Sequence, residues 1–165
     1  MPRAGFYLVQ AATLKFGSDG HWYADDEPVT HQRLARLFSR YLRRKASGGY
    51  EIWIDERNHA DVEVQDAPYV VTSVSIASGA ESDALASSDP TGFTLNLNDE
   101  TNERLDPDSL QVGAGNVLYC QVKGGTERAR FLRPAYYQLA QFIEEAGGGE
   151  FRLRCGSAAH TISQR

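Results

Sequence analysis

The sequence predicts an α+β fold: two similar units, each an antiparallel hairpin or meander plus one main helix, packed around a shared core. Three observations predict it. Two stretches carry apolar residues at helical spacing, and most of the rest alternates apolar and polar with a period of two. Glycine, proline, aspartate and asparagine mark the breaks between them. The order also recurs, since each half reads hairpin, helix, glycines, strand. At 165 residues and 41% hydrophobic, the chain is long enough for one sizeable core or two small units sharing one. The expected division is an N-terminal unit over 1–77, a flexible linker or long loop over 78–92, and a C-terminal unit over 93–165.

Gly5 to Val9 and Thr13 to Phe16 read as strands. Phe16-Gly17-Ser18-Asp19-Gly20 is turn chemistry leading into His21, Trp22 and Tyr23, which makes a hairpin. Asp25, Asp26, Glu27 and Pro28 form an acidic connector. The first helix spans Thr30 to Arg44, with Leu34, Leu37, Phe38, Tyr41 and Leu42 in one apolar stripe. Thr30 is its expected N-cap, and Gly48 and Gly49 stop it. Tyr50, Ile52 and Ile54 then alternate with polar residues, as do Val62 and Val64, with Arg57-Asn58-His59 between the two runs. After the turn Asp66-Ala67-Pro68, Tyr69 to Ile76 is β-branched enough for a central strand, and the three strands form a meander.

From Ala77 to Gly92 the composition shifts to Ser, Ala, Gly and Asp, which gives little apolar surface to bury and defines the linker. Phe93, Leu95 and Leu97 restore a strand, and Asn98 to Gly115 is polar and acidic. Val117 to Lys123, Gly124-Gly125 and Glu127 to Leu132 are a strand, a two-residue loop and a strand. Pro134 suits a first helical position, and Tyr136, Leu139, Ala140 and Ile143 follow at helical spacing until Gly147. Glu150 to Cys155 alternates as a strand, and Thr161 to Ser163 adds a short last one.

A net charge of −5 and a pI near 5.3 argue against a nucleic-acid partner, which needs a basic surface. Met1 to Val9 holds one arginine and a short apolar run, too short for a signal peptide or membrane span, so a cytoplasmic protein with no membrane partner is expected. Cys120 and Cys155 each alternate with apolar neighbours and read as buried free thiols. Between Glu81 and Asp108 the acids outnumber the single base, Arg104, eight to one, so an acidic waist separates arginine-rich flanks.

The first helix carries Arg33, Arg36, Arg40 and Arg43 at spacings of three and four. Guanidinium forks match phosphate and carboxylate in bidentate geometry, so this row is a candidate anion site; a solvated face balanced by nearby acids is the plain alternative. Arg128 and Arg130 form a second cluster with Arg152 and Arg154 if their strands are neighbours. His21, Asp25, Asp26, His31 and His59 are the residue types of a metal or acid–base site, although their spacing matches no ligand signature. No serine lies in a nucleophile elbow, and Cys120 has an apolar strand setting that dulls a thiol. Trp22, Trp53, Tyr69, Tyr136 and Tyr137 suit pocket walls or core. Trp53 falls on the face opposite Ile52 and Ile54 and must be covered by the other unit, a subunit or a ligand.

Pro28-Val29-Thr30-His31, Arg33-Leu34, Leu37-Phe38-Ser39-Arg40, Gly49-Tyr50-Glu51 and Val62-Glu63-Val64-Gln65-Asp66-Ala67-Pro68-Tyr69-Val70 resemble the bacterial domain-of-unknown-function family 1285. Tyr119, Gly124-Gly125-Thr126-Glu127-Arg128-Ala129 and Pro134-Ala135-Tyr136-Tyr137-Gln138-Leu139 are similar to that family's second half, so the likeness covers most of the chain. Arg57-Asn58 and Asp66-Ala67-Pro68 also resemble words of the uncharacterised eukaryotic UPF-type 0598 family. The first resemblance implies an α+β fold of two similar modules and a ligand-sensing or signalling role, and brings no catalytic residues. The Ser- and Ala-rich stretch from Ser78 to Ser88 is longer than the family's connection.

The leading expectation is therefore a non-enzymatic module recognising a small anionic or phosphorylated ligand between its two units, with no cofactor. Its ligand-binding residues are expected among Arg33, Arg36, Arg40, Trp53, Arg57, Asp66, Arg128 and Tyr136, and changing Arg36 and Arg40 to alanine weakens anion binding. The alternatives are a metal-dependent hydrolase using His21, Asp25, Asp26 and His59, and an interaction scaffold or homodimer using Trp53. On the structural side, Leu37→Ala is expected to cost roughly 2–5 kcal/mol by opening a cavity beneath the first helix, which chemical denaturation measures.

Overall fold

The computed structural model describes residues 13–76 and 90–165. The expected strand Gly5–Val9 and most of the expected linker lie outside them. The described chain is mixed α+β, with two α-helices and three sheets. It divides into two compact units: one takes the chain up to Tyr69 together with Asn98–Glu100, and the other takes Val70–Leu97 and Thr101–Arg165.

The first unit opens with β1 (Leu14–Phe16) and β2 (Trp22–Ala24), the expected hairpin, paired Phe16 to Trp22. Asp25 and Asp26 are not a connector. Both have positive φ, 50° and 65°, as the two central residues of a type I′ turn require. They fold β3 (Glu27–Pro28) back onto β2.

Helix α1 (Gln32–Tyr41) follows, shorter at each end than its periodicity predicts. His31, not Thr30, caps it, its ring Nδ1 accepting the Leu34 N–H at 3.4 Å. At the other end Leu42 turns extended and starts β4 (Leu42–Arg44), because pairing with Ile52 of β5 (Tyr50–Asp55) satisfies its backbone in a ladder. β6 (Asn58–Val64) completes a meander of β4, β5 and β6. The expected meander through Tyr69–Ile76 does not form. β6 instead pairs in parallel with β1, Val62 opposite Leu14, closing a six-stranded sheet in the order β3-β2-β1-β6-β5-β4. Pro68, which lacks an N–H, ends the run before the next strand leaves for another sheet.

The core of this unit is an aromatic stack. Phe16 lies 5.0 Å from Trp22 between ring centroids, and Trp22 meets Phe38 edge-on at 5.4 Å. Leu14, Leu42, Ile52 and Val62 surround it. Phe38 is completely buried and Leu37 only half-buried, so the helix presses its neighbour face inward. Ser39 is also buried, and its hydroxyl accepts the Trp22 Nε1–H at 2.9 Å and the Asn98 side-chain amide at 2.7 Å.

The second unit holds β7 (Tyr69–Ile76) from Val70 onward, β8 (Phe93–Leu97), β9 (Asn102–Arg104), β10 (Gln111–Val112), β11 (Leu118–Val122) and β12 (Glu127–Phe131). With β16 (Ser163–Gln164) they form a seven-stranded sheet in the order β16-β10-β11-β12-β7-β8-β9. β7 is interior, as its β-branched composition predicts. The β11–β12 hairpin is present, but its loop is longer than Gly124-Gly125: Val122 pairs Glu127, and Lys123 joins the two glycines at positive φ.

Helix α2 (Arg133–Ala140) starts where proline suits it and stops short of Ile143. There β13 (Ile143–Gly147) begins, paired through Ile143 to Leu153 of β14 (Glu150–Cys155), with β15 (Ala158–Thr161) beyond. These three strands are a separate sheet. Each helix thus runs into a meander, but one meander is continuous with β1–β3 and the other stands alone. The likeness of the two units does not extend to their sheets. Among the described residues, no helix is long and apolar enough to cross a membrane.

Phe38→Ala is expected to cost roughly 3–5 kcal/mol, more than Leu37→Ala. Ser39→Ala leaves the buried Trp22 Nε1–H without its acceptor and removes one partner of the half-buried Asn98 amide, and is expected to cost roughly 1–3 kcal/mol. Urea denaturation followed by tryptophan fluorescence checks all three.

Candidate functional site

The arginine row of α1 is engaged within its own unit. Arg36 Nη1 and Arg40 Nη2 reach the Glu100 carboxylate at 3.3 and 2.7 Å, while Arg33 is exposed. Arg43 is not on the helix at all; from β4 it pairs with Glu51 at 2.9 Å and lays its guanidinium 4.1 Å from the centre of the Trp53 ring. His59 stacks on the same ring at 4.7 Å. Trp53 is thereby covered by Arg43 and His59 of its own unit.

The remaining first-unit residues serve turns. Asp55 accepts hydrogen bonds from the Arg57 and Asn58 N–H groups, both at 2.8 Å, and from the Asn58 side chain. The Asn58 amide, then the Arg57 N–H, hold its carboxyl below the ordinary aspartate range. Asp66 is half-buried in the turn before Ala67 and Pro68.

The His/Asp set is dispersed. Asp25 accepts the Thr13 N–H, Asp26 pairs with Lys15 at 3.1 Å, His21 lies 3.3 Å from Asp19, and His59 is on Trp53. Among the described residues, no group of three or more His, Cys, Asp or Glu converges to hold a metal ion. The sequence listed plausible donor types, but each is held in a different turn or strand. Cys120 and Cys155 are free thiols, as expected, but only Cys120 is buried; Cys155 is half-buried, its Sγ donating to the Thr91 carbonyl at 3.3 Å. Burial, with Glu103 and Asp106 adding to it, pushes Cys120 up to about 12, so it is an inert core thiol.

The second arginine cluster is also not assembled, because β12 and β14 are in different sheets. Arg152 pairs with Glu150 and Arg154 with Glu144. Arg128 lies 4.2 Å from the centre of the Tyr119 ring.

The second unit instead contains two clefts that share Asn116, Leu118 and Tyr136. One, of about 430 Å³, is lined by Arg130 at the end of β12, Arg133 at the start of α2, Tyr137, Phe131 and the turn Gly115–Val117. Gly115 and Asn116 take positive φ there, 70° and 59°, which carries the backbone sharply into β11. The start of α2 has no side-chain cap, and the positive end of its dipole lies at Arg133. The other cleft, of about 360 Å³, is apolar: Val112, Ala140, Ile143, Phe151 and Ile162 line it, with Gln164 at its margin. Neither lining contains Ser, Cys, His, Asp or Glu.

Of the eight residues the sequence nominates, Tyr136 alone lines these clefts. Arg130 and Arg133 were within reach of sequence reasoning, since they bracket the junction of a strand and a helix. Asn116 carried no signal, because its place depends on the turn into β11.

Fold and clefts together describe a two-unit α+β protein with an arginine-lined recess in its second unit. No protein family profile matches the chain, and no curated protein matches it. Two solved structures do. A DUF1285 family protein from Silicibacter pomeroyi DSS-3 matches with a TM-score of 0.66 at 19% identity, over 92% of this chain and 80% of that one. Another from Shewanella baltica OS155 matches with a TM-score of 0.57 at 16% identity, over 80% of this chain and 93% of that one. The expected resemblance to family 1285 is met at the level of the fold. Neither structure bears on the UPF-type 0598 words.

Asp55 provides a pH test of the β5–β6 turn. A depressed folded-state value stabilises above the unfolded value of about 3.9 and is lost as pH falls through the lower folded one. Asp55→Ala is expected to lower the melting temperature at neutral pH, with the gap to the parent narrowing as pH falls below the unfolded value and through the lower folded one. Thermal melts across that range measure it.

Proposed function

We propose that the protein is a non-enzymatic binding module that holds a small anion in the recess lined by Arg130 and Arg133. The observation that carries this reading is that two arginines from adjoining elements line one cleft beside Tyr136 and Tyr137. Paired arginines suit oxyanions because their N–H forks match carboxylate and phosphate oxygens in bidentate geometry. Binding rather than turnover is favoured because the lining supplies no nucleophile and no acid–base pair. A sensing role follows naturally from such a module. The α1 row is less suited to a ligand, since Glu100 already accepts from both Arg36 and Arg40.

Isothermal titration with inorganic phosphate and with acetate tests this. Hydrogen bonds to charged groups are worth roughly 1.5–3 kcal/mol each, so Arg130→Ala with Arg133→Ala is expected to weaken binding at least tenfold. Arg36→Ala with Arg40→Ala is expected to leave it unchanged. The reverse pattern overturns the assignment of the site.

A further inference from the structure

We infer that the ligand is an amphipathic oxyanion: a carboxylate or phosphate head between Arg130 and Arg133, carrying a medium-length apolar chain that runs past Tyr136 into the adjoining cleft. This rests on the anion-binding reading above and adds the chemical class.

The two clefts are not independent cavities. Asn116, Leu118 and Tyr136 line both, so a molecule anchored at the arginines has an apolar wall directly beside it. That wall comes from three places: β10 and β11 of the large sheet, the last turn of α2, and β13 and β14 of the small sheet. Where these meet, the helix contributes Tyr136 and the methyl group of Ala140. Leu118 and Ile162 are themselves buried at its floor.

Two of the four exposed large hydrophobic residues among the described ones stand on these clefts. Phe151 is 39% exposed on the apolar one, and Tyr137 is 64% exposed on the arginine-lined one. Apolar surface left open around a recess is a mark of a binding site. Polarity is divided in the same sense as in an amphipath, with cationic groups at one end and hydrocarbon at the other. A bare inorganic ion would leave the apolar cleft unused, and an uncharged hydrocarbon would gain nothing from the two arginines that line the other. About 360 Å³ lies near the low end of small-molecule sites, which favours a short or medium chain over a long one.

The test is a chain-length series on the intact protein by isothermal titration, each probe below its micelle-forming concentration. Acetate, butanoate, hexanoate and octanoate vary the chain, octyl phosphate varies the head, and octanol removes the charge. Affinity is expected to rise about three- to fourfold per buried methylene, with octanol at least tenfold weaker than octanoate or octyl phosphate. Ala140→Phe, which fills the apolar cleft, is expected to abolish the chain-length dependence while leaving acetate and phosphate binding in place. The wild-type series stands by itself if that variant does not fold.

Octanoate and octyl phosphate binding no tighter than acetate and inorganic phosphate overturns the amphipath and leaves the anion reading standing. Octanol binding as tightly as octanoate overturns the anion reading and the amphipath with it. No binding by any probe overturns both.

Discussion

The first unit is organised by one hydroxyl group. A buried indole needs an acceptor for its N–H, and none is available from the Phe16 and Phe38 rings packed against Trp22. Ser39 supplies it from the next position on α1, and its second lone pair takes the Asn98 amide. Rotating the helix by one residue would bury a donor with no partner. The hydroxyl therefore fixes which face of α1 points inward, and with it which arginines point outward. It also explains why a serine occupies a helix interior position that propensity alone would give to another residue.

Charge is used differently along the chain. In the first unit three arginines meet acids or an aromatic ring: Arg36 and Arg40 meet Glu100, and Arg43 meets Glu51 and Trp53. Half-exposed pairs of this kind add little stability, and their effect is to neutralise a row that would otherwise attract anions. On β14, Arg152 and Arg154 are paired in the same way. Arg130 and Arg133 differ because they line a recess, beside an uncapped helix start. Position relative to a concave surface, more than the number of arginines, separates a binding candidate from a solvated face.

The clefts follow from how α2 ends. Helical spacing in the sequence continues to Ile143, yet the helix stops at Ala140, and after a two-residue turn Ile143 to Gly147 pair with β14. A longer helix would carry Ile143 along its own axis. The early stop instead sends it into β13 and leaves a space between Ala140, Phe151 and Ile162. The same competition shortens α1 at Leu42. In both places local periodicity is overridden by strand pairing, which satisfies backbone groups that a helix end leaves open.

The sequence by itself determined the fold class, the two helix starts to within a residue or two, the hairpins and the interior strand β7. These are local matters, set by periodicity, turn residues and proline. It also limited the chemistry, since no spacing in it matches a metal or nucleophile signature. Only the tertiary structure decided that β6 joins β1 in parallel and that the arginine row faces Glu100. It also decided that Trp53 is covered by Arg43 and His59, and that Arg130 and Arg133 line one cleft. Each of these depends on partners distant in the chain or on a turn geometry. A linear pattern records which face a residue occupies, but not what stands opposite it.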